Sequence, residues 1–174
     1  MTYTHIVVMG VAGCGKSSVA EEMLTRLGPG WLLAEGDDFH PKANIEKMRA
    51  GTPLTDEDRW PWLDLIAEWT AAKDMTGHST IVTCSALRRV YRERLRITPG
   101  RTVFVHLHGS EELLASRLGA RAGHFMPPSL LPSQLATLEL LEPDEDGVVI
   151  DIASDLATIA DQAIARVGLA PAAH

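Results

Sequence analysis

Short runs of apolar residues recur along the chain, and most of them are rich in β-branched side chains. The first run, residues 6–9, is continuously apolar and ends at a glycine, which is typical of a strand buried on both faces of a sheet. The same signal recurs at residues 31–33, 80–83, 102–107 and 148–152. The pattern therefore predicts five strands inside the protein.

Stretches with helical spacing of apolar residues separate these runs. One helix is expected over residues 16–27, and another starts at Thr55 or Asp56, either of which can cap it. Two more are expected from residue 110 and over about 155–167. Strands and helices in alternation predict an α/β fold, in which a parallel sheet carries helices on both faces.

Two segments have no clear period and are expected to be irregular, residues 35–54 and 119–147. Long loops in compact domains usually have a function or move, so both segments are candidates for parts of a functional site. The acidic run 142–146 is expected to be a solvated turn, and the four Trp residues are expected to serve packing.

The composition fits one globular domain over residues 1–174, since 45% of the residues are hydrophobic and 22% are charged. Sixteen Lys and Arg against 23 Asp and Glu give a net charge of −7, which argues against a general binder of nucleic acid or of anionic membranes. No apolar run approaches the roughly 20 residues of a membrane span, and the first residues lack the basic flank of a signal peptide. With only two cysteines, the sequence predicts a cytoplasmic protein with reduced thiols.

The first predicted strand is followed by a glycine-rich segment, residues 10–17, that fits the pattern G-x-x-x-x-G-K-[ST]. A buried strand before it and a helix after it are the context of a phosphate-binding loop, because backbone N–H groups and a helix N-terminus then point at phosphate oxygens. In such a loop Lys16 reaches the β- and γ-phosphates and the Ser17 hydroxyl binds Mg²⁺. The alternative is a chance glycine turn. A nucleotide is expected to contact Gly10, Val11, Ala12, Gly13, Cys14, Gly15, Lys16, Ser17 and Ser18.

Motifs of other nucleotide-binding classes do not occur in the sequence. A GTPase would need a guanine-reading Asn-Lys-x-Asp element, and the one Asp-x-x-Gly, at residues 144–147, precedes a predicted strand instead of following one. The chain is also short for a motor or transporter ATPase. A small kinase remains, whose acceptor must be bound by the other loops.

Polar residues follow the second and third predicted strands, at the carboxyl edge of the sheet where open α/β folds bind ligands. Asp37 could orient an acceptor hydroxyl and take its proton, and the alternative for Asp37 and Asp38 is a turn or a helix cap. The phosphate loop beside them favours the acceptor role for Asp37. His40 is ambiguous, because a histidine in a loop is often only a surface residue. Ser85 could contact the metal shell or the acceptor.

Several arginines are candidates for binding anions. Arg59 lies near the start of a predicted helix and could hold a substrate carboxylate with two hydrogen bonds, or only pair with its acidic neighbours. Arg88 and Arg89 are the expected anion contacts after the third strand. Arg117 and Arg121 lie beside glycines at the start of the second irregular segment, which indicates a lid that closes over phosphates; ordinary cations at a helix end are the alternative.

On these residues the sequence resembles the small phosphate-loop gluconokinases, which are related in fold to shikimate and adenylate kinases. The phosphate loop is shared with many families, whereas the His-Pro-x-x-Asn-Ile-Glu-Lys-Met and Cys-Ser-Ala-Leu elements are more specific. The resemblance covers essentially the whole chain. Its matching segments are 9–17, 36–37, 40–41, 44–48, 51, 53–54, 56, 58–59, 61–63, 84–87, 91–92, 116–118, 120–121, 123–125, 134, 137–138, 142–143 and 149–151.

The resemblance implies a three-layer P-loop kinase fold with a five-stranded parallel sheet and a lid over about 121–142, often in a homodimer. The implied reaction is ATP-dependent phosphorylation of D-gluconate to 6-phosphogluconate. Asp37 would handle the acceptor hydroxyl and Arg59 the carboxylate of gluconate, while Arg117 would pack near the adenine and Arg121 would lie on the phosphates. The resemblance thus implies catalytic roles for Lys16, Asp37 and Arg121, acceptor contacts for Asp37, His40, Arg59, Ser85, Arg88 and His124, and metal contacts for Ser17 and Glu35.

Three positions depart from the usual family pattern: Glu35 stands in place of Asp, and Arg88 and Ala122 each stand in place of Lys. Two other functions are weighed against a gluconokinase. One is a kinase of another small polar acceptor, such as shikimate or a nucleotide. The other is a nucleotide-binding regulator that performs no transfer, against which Asp37, Arg59 and Arg121 together argue.

Overall fold

Five parallel strands form the centre of the molecule. The computed structural model describes residues 3–97, 99–119 and 131–172. Within these residues the strands pair in the spatial order second, third, first, fourth, fifth, with every pairing parallel. They are β1 (Thr4–Met9), β2 (Trp31–Glu35), β3 (Ser79–Thr83), β4 (Arg101–His108) and β5 (Gly147–Asp151).

Helices connect the strands, and a short 3₁₀ turn over Gly36–Phe39 follows β2 directly. The helices described are α1 (Lys16–Leu27), α2 (Lys42–Arg49), α3 (Asp56–Met75), α4 (Arg89–Leu95), α5 (Glu111–Gly119), α6 (Leu131–Thr137) and α7 (Leu156–Arg166). None of these helices is both long and apolar enough to cross a membrane.

Apolar side chains of β1 alternate between the two faces of the sheet. Ile6 and Val8 lie in a core with residues of α1, α5 and α7, whereas Val7 and Met9 lie in a second core with residues of α3 and α4. Burial on both faces explains why the strands read as continuously apolar runs. The α/β fold expected from the sequence, with a five-stranded parallel sheet between two helical layers, is confirmed.

Capping fixes where α3 begins. The Thr55 side chain accepts a hydrogen bond from the Asp58 N–H at 3.2 Å, and the Asp58 carboxylate accepts one from the Thr55 N–H at 2.9 Å. This reciprocal pair is a capping box, so Thr55 is the cap and Asp56 is the first helical residue. The exact start of α3 matters because Arg59 lies in its first turn.

Two expectations for the irregular segments are wrong. Residues 35–54 contain the 3₁₀ turn and α2, and residues 119–147 contain α6. The acidic run 142–146 is not simply a solvated turn, because Glu145 is buried and pairs with Arg92 at 2.7 Å. These helices have seven or eight residues, too few for a clear period in the sequence.

Candidate active site

The glycine-rich loop between β1 and α1 has the backbone of an anion-binding loop. Gly13 and Gly15 have φ values of +87° and +92°, a region that favours glycine. A side chain at Gly13 would lie 2.7 Å from the carbonyl oxygen of Leu114, so α5 packs directly against the loop. Because α1 begins at Lys16, the positive end of this helix adjoins the same loop.

Lys16 and Ser17 lie at the mouth of this loop. The Lys16 Nζ donates to the carbonyl oxygens of Gly10 at 3.0 Å and Val11 at 3.3 Å, which holds its charge beside the loop. The Ser17 hydroxyl donates to the Glu35 carboxylate at 3.0 Å. The structure therefore brings together Ser17 and Glu35, the two residues that were expected at the metal.

The oxygens around Glu35 fit Mg²⁺. The Thr83 hydroxyl donates to the same Glu35 oxygen at 2.6 Å, so a carboxylate and two hydroxyls meet beside the phosphate loop. Mg²⁺ is usually held by one or two carboxylates together with phosphates and waters. Among the residues that the structure describes, no cluster of three or more His, Cys, Asp and Glu side chains could enclose a metal ion. The donor set thus suits a metal that arrives with a nucleotide.

Asp37 is held on a rigid turn at the carboxyl end of β2. The Gly36 N–H donates to the Thr83 hydroxyl at 3.2 Å, and the Gly36 carbonyl accepts from the Trp62 indole N–H at 2.8 Å. A Cβ atom at Gly36 would lie 2.0 Å from the Thr83 carbonyl oxygen, so only glycine allows this close approach of β2 and β3. The turn directs Asp37 toward the phosphate loop, while its side chain remains about half exposed.

His40 is buried at the end of the same turn. Its ring stacks on Trp62 with centroids 3.9 Å apart and planes inclined by 19°. Burial, together with the positive charge of Arg59, lowers the pKa of His40 to about 4. The imidazole is therefore neutral near pH 7.

Arg59 keeps its positive charge available on the wall of the cleft. One guanidinium nitrogen, Nη1, donates to the Leu54 carbonyl at 2.7 Å and to the Tyr91 hydroxyl at 3.0 Å. The nearest Asp56 oxygen is 3.8 Å away, beyond hydrogen-bond distance. Asp56 is instead bound by Arg88, at 2.9 Å, and by the Tyr91 hydroxyl. The interpretation that Arg59 only pairs with its acidic neighbours is thus disfavoured.

Eight of the expected site residues line one cleft at the carboxyl edge of the sheet. A buried thiol, Cys84, also lines it, and burial raises the pKa of this thiol to about 12, so Cys84 stays protonated and is no nucleophile near pH 7. The cleft combines a phosphate-binding loop with carboxylate, imidazole and guanidinium groups. The expected residues that line it are Ala12, Lys16, Ser17, Glu35, Asp37, His40, Arg59 and Ser85.

Other expected contacts lie elsewhere. Arg117 lines a second groove on the other side of the phosphate loop, with Ser18 and the start of α7, and donates to the Ile152 carbonyl at 2.7 Å. Arg88 is bound to Asp56 and Glu139 and is not among the residues that line the cleft.

Arg89 bonds to acidic residues in the segment before β5. Arg121, Ala122 and His124, with the first half of the expected lid, lie outside the described residues.

The sequence alone gave no role in the site to several residues that shape the cleft, and it assigned Trp62 only to packing. Thr83 organises Glu35 and Gly36, Trp62 supports His40, and Tyr91 links Arg59 to Asp56. Gln134 of α6 accepts a hydrogen bond from the Ala12 N–H of the phosphate loop at 2.7 Å. Trp62, Tyr91 and Gln134 fall in the segments that carry the resemblance, which was the available signal. Thr83 had none, because a threonine at the end of a buried strand is ordinary.

Known proteins resemble this chain over most of its length. A family model described as an AAA domain matches residues 6–141. A gluconokinase of Gluconobacter oxydans is 53% identical over 150 residues, which are 86% of this chain and 82% of that protein.

Two solved structures resemble the whole fold. The crystal structure of a sugar kinase from Janibacter sp., without ligand, aligns with a TM-score of 0.90 and 48% identity over 99% of each chain. The crystal structure of a gluconokinase from Sinorhizobium meliloti aligns with a TM-score of 0.82 and 47% identity, over 96% of this chain and 93% of that one.

Proposed function

Because the chain belongs to the gluconokinase family, we propose that its cleft transfers the γ-phosphoryl group of ATP to a hydroxyl group of D-gluconate, giving 6-phospho-D-gluconate. One observation carries the proposal most directly: the phosphate loop, the carboxylate of Asp37 and the guanidinium of Arg59 line a single cleft. A phosphate donor, a hydroxyl and a carboxylate are the three groups that this reaction brings together.

The donor side of the cleft is proposed to bind ATP and Mg²⁺. Backbone N–H groups of the loop and the N-terminus of α1 would hold the phosphates, and Lys16 would exchange its contacts with loop carbonyls for phosphate oxygens. Ser17 and Glu35 would hold the metal, Ser17 through its hydroxyl. When bound, Mg²⁺ supplies positive charge to the β- and γ-phosphate oxygens.

The acceptor side is proposed to bind gluconate by both of its ends. Asp37 would accept the proton of the attacked hydroxyl, and Arg59 would hold the carboxylate at the other end of the molecule. The second guanidinium nitrogen of Arg59 is not used in the bonds to Leu54 and Tyr91, both of which involve Nη1. Phosphoryl transfer depends mainly on positioning and charge, so this fixed geometry supports catalysis more than the basicity of Asp37 does.

Two rival functions make different predictions for the same cleft. A regulator that only binds nucleotide needs neither an acceptor carboxylate nor a guanidinium beside it, so the presence of Asp37 and Arg59 in one cleft argues against it. A kinase of another small acid, such as shikimate, would keep both residues.

A coupled assay of ADP release separates these functions. The purified chain is given ATP and Mg²⁺ with gluconate, shikimate, glucose or a nucleoside monophosphate in turn. We expect turnover with gluconate to exceed turnover with each other compound by at least about a hundredfold, since a buried polar site rejects ligands that leave it unpaired. ATP binding without turnover on any acceptor would favour the regulator.

Lys16→Ala is the first variant to examine, because Lys16 is the expected cation on the transferred phosphoryl group. We expect it to fold and to lose almost all transfer, measured by circular dichroism and by the same assay. Lys42→Ala is the matched control, since the Lys42 side chain is exposed at the surface. Normal turnover in Lys16→Ala would contradict the proposed role of the loop.

A cytoplasmic location, where ATP is available, belongs to this proposal. A homodimer stays a prediction from the resemblance, and analytical ultracentrifugation would decide it.

A further inference from the structure

Two buried polar side chains, His40 and Asn44, stand where α2 packs against the start of α3. His40 is 8% exposed and Asn44 is 4% exposed. His40 lines the cleft, whereas Asn44 lies behind it, one helical turn further along the chain. Buried polar groups are nearly always hydrogen-bonded, so their partners reveal how the pair is organised.

The contact with α3 fixes the orientation of the Asn44 amide. The Asn44 nitrogen lies 2.9 Å from the backbone carbonyl oxygen of Asp58. A carbonyl oxygen only accepts hydrogen bonds, so the amide group facing it must be the –NH₂ group and not the amide oxygen. The chemistry of this contact therefore determines the orientation.

The orientation of Asn44 in turn determines the proton on His40. The same Asn44 nitrogen lies 3.2 Å from Nδ1 of His40. An –NH₂ group has two hydrogens, one for the Asp58 carbonyl and one for the ring, and it has no lone pair to offer. Nδ1 must therefore accept, and the neutral imidazole carries its hydrogen on Nε2. Stacking on Trp62 keeps the ring in this plane.

The protonated nitrogen lies close to Asp37. Nε2 is 3.9 Å from an Asp37 carboxylate oxygen, which is too far for a direct hydrogen bond. An oxygen about 2.8 Å from each of the two atoms fits between them, and such an oxygen would have a donor on one side and a carboxylate on the other. A hydroxyl group meets both requirements, because it accepts one hydrogen bond and donates another.

We propose that Asn44 is a positioning residue, which holds His40 as a hydrogen-bond donor through Nε2 to the acceptor hydroxyl whose proton Asp37 takes. In the transfer step the hydroxyl oxygen bonds to the γ-phosphorus and its proton passes to the Asp37 carboxylate. The bond from the γ-phosphorus to the bridging oxygen breaks, and ADP leaves with that electron pair. His40 keeps its proton throughout. The identity of the hydroxyl rests on the proposed function, but the protonation of His40 does not.

Nitrogen-15 NMR of the free protein tests the first half of this proposal without any substrate. The chemical shifts of the ring nitrogens distinguish a protonated from an unprotonated nitrogen, and assignment uses His40→Gln to identify the signals. At pH 7.5 we expect hydrogen on Nε2 and none on Nδ1. In Asn44→Asp, where a carboxylate faces the ring, we expect the hydrogen to move to Nδ1. Hydrogen on Nδ1 in the unaltered protein would overturn the proposal, whatever the substrate.

A double-mutant cycle tests the second half. The side chain of glutamine can donate a hydrogen bond from near the position of Nε2 and has no tautomer to be set. We expect Asn44→Ala to lower kcat/KM for gluconate about tenfold, with the KM for ATP unchanged. In the His40→Gln background, Asn44→Ala should lower kcat/KM for gluconate less than about threefold, because Asn44 no longer has a ring to orient. Equal losses in both backgrounds would overturn the proposal.

Lys47→Met is the control for simple docking of α2. Lys47 binds the Asp58 carboxylate at 2.7 Å, so it links the same two helices without contacting His40. We expect Lys47→Met to leave kcat/KM for gluconate within about threefold of the unaltered protein. A loss as large as that of Asn44→Ala would show that Asn44 serves only packing. If gluconate is not phosphorylated at all, the proposed function fails, while the NMR result still decides the role of Asn44.

Discussion

Asp37 and Asp38 are adjacent acids on one turn, and their side chains have different surroundings. Both side chains are exposed, but only Asp37 lines the cleft, with the His40 ring 3.9 Å away. Asp38 lies on the same turn but outside the cleft, so it is the control for Asp37, which lines the cleft.

We expect Asp37→Asn to lower kcat by about 10²–10⁴, the usual contribution of a positioned base, with the lower end favoured because the transfer is largely dissociative. The KM for ATP should change little. Steady-state kinetics on gluconate measures both values. Asp38→Asn is the matched variant and should keep near-normal kcat; the reverse pattern would assign the role to Asp38.

The geometry of Arg59 suggests how the cleft distinguishes a carboxylate from a neutral sugar. Nη1 is committed to Leu54 and Tyr91, and the Arg59 guanidinium lies 5.0 Å from the Tyr91 ring centroid. An ammonium group cannot keep those contacts and also form two hydrogen bonds with a carboxylate.

We expect Arg59→Lys to lower kcat/KM for gluconate about ten- to a hundredfold, because a charge-assisted hydrogen bond contributes roughly 1.5–3 kcal/mol. The KM for ATP should stay nearly constant in the same assays. Arg94→Lys is the control, since Arg94 is an exposed arginine paired with Asp64. Near-identical kinetics for the two variants would mean that Arg59 does not bind the carboxylate of gluconate.

At the scale of single residues, the sequence predicted the groups with recognisable chemistry. Lys16, Asp37 and Arg59 could be found because charged residues beside glycines or after strands are unusual enough to notice. The supporting contacts could not be found, because they join residues far apart in the chain: Thr83 to Glu35, and Asn44 to the backbone of Asp58. Such contacts depend on strand order and helix packing, which no local pattern contains.

Among the elements, the short helix α4 is held by a buried ion pair that also reaches the segment before β5. Arg92 of α4 is 1% exposed and forms two hydrogen bonds with Glu145, at 2.7 and 3.0 Å. The same guanidinium donates to the Ala86 and Glu139 carbonyls, at 3.0 and 3.1 Å. The Arg92 side chain therefore links the segment after β3 to the segment after α6. Helix α6 itself contacts the phosphate loop through Gln134.

Breaking this ion pair on one side should destabilise the fold. Glu145→Gln leaves the buried charge of Arg92 without a counter-charge, and we expect a loss of about 3–5 kcal/mol in the free energy of unfolding. Urea denaturation followed by circular dichroism measures it. The exposed pair of Arg94 and Asp64 is the comparison, where Asp64→Asn should cost about 1 kcal/mol or less. Equal effects in the two variants would mean that burial gives the Arg92 pair no special weight.

These two helices also mark where prediction from sequence stops. The strands could be predicted because burial on both faces makes them continuously apolar runs. The long helices could be predicted because their period is repeated over many residues, and α1 was predicted with its observed bounds. Helices α2, α4 and α6 have only seven or eight residues. Of these, α4 is held by the contact of Arg92 with Glu145. A buried arginine in a short, polar helix gives no local signal of either its burial or its partner.

For the whole molecule, strand order is what assembles the site. Because β3 lies between β2 and β1, the residues after all three strands meet at one edge of the sheet. The Gly10 N–H donates to the Ser85 carbonyl at 3.2 Å, which joins the phosphate loop to the segment after β3. The phosphate loop, the turn that carries Asp37 and the segment after β3 thus meet at one edge of the sheet.

Stability of the whole molecule should depend on pH through two buried histidines. Burial lowers the pKa of His106 to about 4, with smaller effects of His108, Arg92 and Lys16, and the pKa of His40 is lowered to a similar value. The ordinary pKa of histidine is about 6.5. Between about pH 6.5 and 4, these two imidazoles therefore bind protons in the unfolded chain but not in the folded chain. The free energy of unfolding falls as the pH falls through this range. Above this range the contribution is complete, and below it there is no further loss.

His106 is the residue with which to test this dependence. Both ring nitrogens of His106 lack a hydrogen-bond partner among the described residues, and the side chain is fully buried in β4. His106→Phe removes the titrating group and keeps an aromatic ring in its place. A pKa difference of this size corresponds to about 3 kcal/mol, so the fall in unfolding free energy from pH 7.5 to 4.5 should shrink by up to that amount.

Carboxylates contribute to the free energy of unfolding in a separate, lower pH range. Bonds from Lys47 and Thr55 lower the pKa of Asp58 to about 2, so its share of the stability is lost only below its ordinary pKa of about 3.8. Urea titrations at half-unit steps from pH 7.5 to 3 therefore resolve the two effects. His78→Gln, a change at a surface turn, should keep the dependence of the unaltered protein. If His106→Phe kept the same slope between pH 6.5 and 4, the acid sensitivity would have to come from groups other than this buried imidazole.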